Sequence, residues 1–468
     1  MVASVRRLLF RKRKSVDFLS GNIPRTMISY AVPLLFGNIL QYLYSAVDSW
    51  VLGQSGQTEA YAAVGSLTPV TQALVALFWG FSQGAGIIIS RAHGASDKER
   101  VSRGAHTALI VTVLIGIFLT VVGVLLSPVL LRVVLGADGD PEIYNYAKTY
   151  LLIFFGGIIP MLVYNIGAEI MRSLGNSHYP FLFLCFGSVL NIILDLVFVF
   201  SLGMGIAGVA WATVIAQALS AVLVVFLLFS ERSPIRLTPQ NLRIDRSLTA
   251  AVVRLGIPVS IENAICNVSA LLVQSYIAAT GDQAAVLGGY STYVRIMCIF
   301  EQPAVVILTT VAVFVGQNIG ASNTERARQG VRWGMLLAFC AILPTYIGIT
   351  LLADYVPYIF TSDAAVVERA AELFRNLTIF YIVQAIGYPF LGAMRGLGKT
   401  KAIMVLTMAS QIAACQVYLF VMSRFISNEF VHIVFAVPFG HIAFALVMGI
   451  AYVWNMRRIM RSGEIMAI

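Results

Sequence analysis

The chain has 468 residues, of which 59% are hydrophobic and only 12% charged, and its mean hydropathy is +0.84. A soluble surface needs roughly twice that charge, so the composition excludes a water-soluble domain and implies a polytopic membrane protein. The net charge of +10 includes a basic start, Arg6, Arg7, Arg11, Lys12, Arg13 and Lys14. Beside so many apolar runs, this stretch suits anionic lipid at the cytoplasmic face and argues against a nucleic-acid partner.

Residues 1–27 form a basic cytoplasmic segment. The first apolar run begins near Met27 without a small-residue cleavage site, so no removable signal peptide is expected. Runs long enough to cross about 30 Å of hydrocarbon follow at 28–53, 60–90, 104–131, 143–171, 179–201, 206–230, 248–279, 284–318, 327–352, 366–394, 400–424 and 430–456. Twelve membrane helices are therefore predicted. Connections after even-numbered helices are basic, with Arg91, Lys98, Arg100, Arg103, Arg172, Arg232, Arg236, Arg243, Arg246, Arg254, Arg326, Arg328, Arg332, Arg395, Lys399 and Lys401. Those after odd-numbered helices carry Glu59, Asp138, Asp140, Glu142, Asp282, Asp354 and Asp363. By the positive-inside rule both termini lie in the cytoplasm of a plasma-membrane protein.

The first helix holds a costly acid. Asn38, Gln41, Ser45 and Asp48 recur at steps of three and four, which places them on one helical face. An ionised carboxylate at that depth requires a partner or a function. Asp195 in helix 5 and Thr213 in helix 6 reach a similar level, roughly 10 Å below the outer surface at 1.5 Å per residue. Ser188 and Asn191 share a face with Asp195, and Gln217 and Ser220 share one with Thr213. Two neighbouring carboxylates cannot both ionise cheaply, so one binds a proton or both share a cation such as sodium. Asp48, Asn191, Asp195 and Thr213 are thus the candidate ion-coupling residues, and the metal ligands if the ion is sodium.

The linker at 231–247 divides an N-lobe, 28–230, from a C-lobe, 248–456, which is followed by a cytoplasmic tail, 457–468. The halves repeat. A shift of 225 sets Pro33 on Pro258, Asn38 on Asn263 and Ser66 on Ser291. A shift of 226 sets Gly94-Ala95-Ser96 on Gly320-Ala321-Ser322 and Arg100 on Arg326, and one of 223 sets Met171-Arg172-Ser173-Leu174-Gly175 on Met394-Arg395-Gly396-Leu397-Gly398. Six helices per half give both halves one orientation, a parallel repeat about an axis along the membrane normal. The expected fold is all-α, two six-helix bundles around a central cavity, the plan of a transporter. Asp48 falls on Val273, Asp195 on Tyr418 and Asn191 on Ala414, so the ion site belongs to the first half.

Glu262 in helix 7, and Arg295 and Glu301 in helix 8, are further charges within spans. Arg295 is expected to pair with one glutamate, leaving the other, Glu301 by preference, for a cationic substrate. Gln41, Tyr42, Tyr44, Tyr164, Tyr276 and Tyr290 are the other cavity candidates, the tyrosines suiting flat organic cations. Cys185, Cys266, Cys298, Cys340 and Cys415 sit in apolar runs without ligand spacing and read as small buried hydrophobes. No nucleotide loop, zinc motif, nucleophile elbow or prenyl-diphosphate cluster is present, so neither a catalytic residue nor a cofactor other than the coupling ion is expected. A polytopic lipid-modifying enzyme is the distant alternative and lacks a visible catalytic cluster.

The stretch from Pro33 through Asp48 to Gly53, Gly316 to Ala321 (GQNIGA), Met394 to Gly398 (MRGLG), and NIILD at Asn191 to Asp195 followed by GIAGVAWAT ending at Thr213 together resemble the multidrug and toxic compound extrusion (MATE) family. The resemblance covers nearly the whole chain. It implies two lobes around a central cavity and monomeric export of organic cations and drugs in exchange for H+ or Na+. It also implies a first-lobe cation site on Asp48, Asn191, Asp195 and Thr213. A flippase for an amphipathic lipid-linked or peptide product shares this architecture and is the runner-up. Members that couple through the second lobe carry a glutamate further along helix 7, where this chain has Cys266.

Overall fold

A computed structural model of the chain describes residues 15–54, 58–136, 140–231 and 235–462. The basic residues 6–14, Asp138, Arg232 and the end of the tail lie outside them. Among the described residues there is no strand. Eleven helices among the described residues are long and apolar enough to cross a bilayer, and a bent pair raises the number to as many as twelve.

In chain order these are α1 (Ile23–Gln54), α2 (Thr58–Gly94), α3 (Lys98–Leu135), α4 (Pro141–Gly156 and Ile158–Ser173, bent by 47°), α5 (His178–Asp195) and α6 (Gly205–Phe229). The second set is α7 (Arg246–Ala278), α8 (Gln283–Phe300 and Gln302–Gly320), α9 (Thr324–Leu351), α10 (Ala364–Gly396), α11 (Thr400–Ile426) and α12 (Phe430–Val434 and Ala436–Ser462). Four expected rods are interrupted, those over 143–171 and 430–456 at Gly157 and Phe435 and two more. The helix predicted over 284–318 breaks at Glu301, just before Pro303, whose ring removes a backbone donor. The helix predicted over 366–394 passes through a 3₁₀ turn, Thr378–Val383.

The repeated motifs are helix punctuation. After Gly94 and Gly320, Ser96 and Ser322 adopt the left-handed region at φ 58° and 60°. The backbone N–H of Asp97 then returns to Ala92 O (3.0 Å) and that of Asn323 to Asn318 O (2.8 Å). This closes each helix in the Schellman manner. The same Asp97 and Asn323 cap the next helices, accepting from the Arg100 N–H at 2.8 Å and the Arg326 N–H at 3.1 Å. Met-Arg-x-Leu-Gly works likewise, with Gly175 and Gly398 at φ 80° and 63°. One sequence grammar therefore ends α2, α8, α4 and α10.

Two compact units divide the chain, one containing residues 32–256 and the other 17–31 and 257 onward. The boundaries fall beside Pro33 and Pro258, the repeat-equivalent prolines. Within the second unit, Phe18 is 0% exposed, with ring centroids 5.1 Å from Tyr30 and 5.3 Å from Phe314. Arg326 donates to three carbonyls of this leading segment, Phe18 at 2.9 Å, Ser20 at 2.6 Å and Gly21 at 3.0 Å. The Asn318 amide adds a fourth bond, to Phe18 O at 3.1 Å. Within the first unit, the segment before α7 is held in a comparable way. The Thr238 N–H donates to His106 Nε2 at 3.1 Å, the Asp245 N–H donates to Thr107 Oγ1 at 3.1 Å, and Arg103 meets Asp245 at 3.4 Å.

The Ser20 hydroxyl holds the Asp17 carboxyl below its ordinary range. Its contribution to this turn is therefore present above the unfolded carboxylate pKa and is lost only as pH falls through the lowered folded value. Phe18→Ala empties a closed site and is expected to cost about 3–5 kcal/mol, read as a lower unfolding midpoint in detergent. Arg326→Ala should cost less, about 1–2 kcal/mol. An unchanged midpoint for Phe18→Ala would contradict the docking of this segment.

Candidate functional site

Asp195 is the last residue of α5, and the chain continues from it as a π-helical turn, Leu196–Ser201. Such turns widen the helix locally and recur at functional positions. Alongside, α5 and α6 pack closely because Gly187 has no side chain, since a Cβ there would lie 2.3 Å from Ser220 Oγ. α1 brings Asp48 to the same place.

The structure gathers all four sequence-predicted ion residues in the first unit. Asp48 lies against Asp195 and Thr213. Asp195 is 0% exposed and Asn191 2%, while Asp48 and Thr213 are half-buried. The Thr213 hydroxyl donates back to Val209 O at 3.1 Å, which leaves its oxygen able to accept or ligate. Tyr44, Ser188, Asn191, Thr213, Gln217 and Ser220 line a small adjoining cleft. What sets this cluster apart is its unsatisfied polarity. Asp48 Oδ1, both Asp195 oxygens, both amide atoms of Asn191, Ser188 Oγ and Gln217 Oε1 are buried without a hydrogen-bond partner. Buried polar atoms are normally paired. So many partnerless oxygens side by side fit a proton or a hard monovalent cation, for which Asp48, Asn191, Asp195 and Thr213 would be the oxygen ligands.

Glu169, Glu262 and Glu301 each have protein partners, although Glu262 Oε2 and Arg395 Nε are also buried without a hydrogen bond. Glu262 is buried and meets Arg395 at 3.7 Å, with the Thr407 hydroxyl donating to it at 3.3 Å. This corrects the expected Arg295 partner and removes Glu262 from any open face. The repeat supplies the reason. In the first half Arg172 pairs with Glu169 on its own helix at 2.9 Å. The equivalent of Glu169 is Gly392, where a Cβ would lie 2.3 Å from Leu308 O, so no side chain fits. The acid comes instead from α7, at the position equivalent to Gly37. Glu169 was not singled out from sequence, and Arg172 and Arg395 were read only as connection charges and repeat residues, although this reciprocal exchange of Glu and Gly was visible in the repeat.

Glu301 sits at the break in α8. Its Oε1 accepts from the Gln384 amide at 3.0 Å and from the Tyr388 hydroxyl, and Gln384 in turn accepts from the Tyr346 hydroxyl at 2.8 Å. Glu301 remains half-exposed, and Arg295, one turn and a half earlier, is exposed. Sequence reasoning missed Tyr346, Gln384 and Tyr388, which lie in other helices and carry no spacing signal.

Among the other candidates, Gln41 is exposed, Tyr42 is 43% exposed, and Tyr276 and Tyr44 are half-buried. Tyr164 and Tyr290 are buried. The Tyr164 hydroxyl donates to Pro180 O at 3.1 Å, and neither ring lies on an exposed face. The five cysteines are free, and Cys340 is exposed, contrary to the buried reading.

The family model MatE matches residues 33–197 and again 258–417, one segment in each half. YpnP of Bacillus subtilis, named a probable multidrug resistance protein, is 25% identical over 398 residues, spanning 85% of this chain and 88% of the relative. The probable multidrug resistance protein NorM of Thermotoga maritima is 26% identical over 407 residues, 86% of each. A solved multidrug resistance MATE family transporter of the MOP superfamily, in an outward-facing conformation, superposes with a TM-score of 0.90 over 96% of this chain and 99% of that one, at 22% identity. A MATE crystallised with MaL6 gives the same TM-score at 23% identity, over 96% and 100%. At such identity these structures speak to the fold, while the two matched segments cover most of the sequence. The chain belongs to the MatE family of multidrug efflux transporters, and is a transporter and not an enzyme.

Proposed function

We propose that the chain is a secondary active antiporter of the plasma membrane, with both termini cytoplasmic. It expels amphipathic organic compounds bearing a cationic group, in exchange for H+ or Na+, and works as a monomer. The observation that carries this reading is the set of buried, partnerless oxygens on Asp48, Asn191 and Asp195. Glu262 also keeps an oxygen without a hydrogen bond, but the Arg395 guanidinium 3.7 Å away balances its charge, whereas among the described residues no cationic side chain pairs with Asp48 or Asp195. Two adjacent carboxylates repel unless a proton or cation lies between them, so occupancy of the site and the packing of α1 against α5 and α6 are linked. An ion taken from outside favours one arrangement of the first unit, its release inside favours the other, and substrate moves in the opposite sense. The names of the relatives support drugs as cargo, and the basic connections after even-numbered helices support the orientation.

Glu301 is the substrate-side acid in this account. Its Oε1 is fixed by Tyr388 and Gln384, and its other oxygen is left for a cation.

Asp48→Asn and Asp195→Asn should each reduce drug resistance to the level of cells without the exporter, with expression intact. Normal efflux by both variants would contradict the ion site. In everted vesicles an imposed proton or sodium gradient should drive export, whereas indifference to both would remove antiport. Glu301→Gln should weaken cationic substrates by about tenfold, the scale of one charge-assisted hydrogen bond, and spare neutral ones. Equal losses would make Glu301 structural.

A further inference from the structure

The first rod of α8, Gln283–Phe300, has an outer face unlike those that meet lipid. α3 exposes Leu114, Phe118, Leu125, Val129 and Val133, the last at 78%. On this rod of α8 the single large apolar side chain counted as exposed is Val294, at 36%. The other exposed residues are Gln283, Ala284, Ser291 and Arg295, with Leu287, Cys298, Ile299 and Phe300 part-exposed. The exposed residues around Arg295 are thus less apolar than those of a lipid-facing helix.

Arg295 is the thirteenth residue of that rod, about 18 Å from its Gln283 end at 1.5 Å per residue, which is mid-span. A guanidinium facing lipid at that depth is costly, and intramembrane arginines face water-filled cavities and pair there. Arg295 makes no ion pair or hydrogen bond with any described residue. Neither carboxylate expected to serve it pairs with it: Glu262 meets Arg395, and Glu301 is held through Oε1 alone by Tyr388 and Gln384. Five donors in a rigid fork therefore stand on the polar face without an acceptor.

We propose that Arg295 receives an anionic group of the substrate, a carboxylate or its equivalent, and that the exported compounds are zwitterionic amphiphiles. Their cationic group goes to Glu301, six residues and about 9 Å further along the helix axis. This rests on the export reading above and adds the second charge. The planar fork matches a carboxylate through two parallel hydrogen bonds, which an ammonium cannot reproduce.

The test uses a matched pair of fluorescent amphiphiles, one cationic and one carrying an added carboxylate, with the full chain in proteoliposomes under the driving ion gradient. Wild type should export both. Arg295→Gln should raise the half-saturating concentration of the zwitterion by at least about tenfold and leave the cation unchanged or improved, and Arg295→Lys should fall between. Arg295 is exposed in its unit, so the variants should elute as wild type does. Equal effects of Arg295→Gln on both probes, or none on either, would overturn the proposal. So would a wild type that exports the cation and refuses the zwitterion, and the export reading would then stand. Export of neither probe would overturn both.

Discussion

A carboxylate cannot be left alone in hydrocarbon, and the polar architecture of this chain follows from how each acid meets that cost. Glu169 takes Arg172 from its own helix. Glu262 takes Arg395 from α10, because Gly392 leaves no room for an acid there. Glu301 breaks a helix and is held by a tyrosine and a glutamine. Asp48 and Asp195 face each other instead, with oxygens that no protein group satisfies. Glu169 and Glu262 are ion-paired within the fold, and Glu301 keeps one oxygen for the substrate in the proposed account. The pair is open to an ion, and that difference separates the proposed working site from the structural acids.

The repeat makes the distinction legible. Where both halves need the same backbone event, they keep the same residues. Ser96 and Ser322 share a left-handed conformation, and Gly175 and Gly398 end α4 and α10 at similar positive φ. Where the halves differ in polarity, each carries a private arrangement. Asp195 stands opposite Tyr418, and the Glu301 network has no counterpart on the unbroken helix α2.

The spans, the repeat and the proximity of Asp48, Asp195 and Thr213 could be read from sequence, because hydropathy, motif recurrence and depth along a helix are local, periodic quantities. Gln384, Tyr388 and Arg395 could not be matched to their partners in that way, since which helix faces which is set by packing. Proximity in charge and depth suggested that Arg295 would serve Glu262 or Glu301, and the helix rotations gave both acids to other residues. Tyr164 and Tyr290 show the same limit, because nothing in their spacing separates an open face from a packed one. The docking of Phe18 under Arg326 was also hidden, as the segment before α1 is too short and too polar to read as an element.

The central claim is that Asp48 and Asp195 act as one ion-binding pair. Infrared difference spectra of the purified protein, taken as pH or sodium concentration is stepped, test it without depending on a transported substrate. A carboxyl signal in the wild type that disappears in both Asp48→Asn and Asp195→Asn is the result this account predicts. A signal that persists in either variant as in the wild type would contradict it.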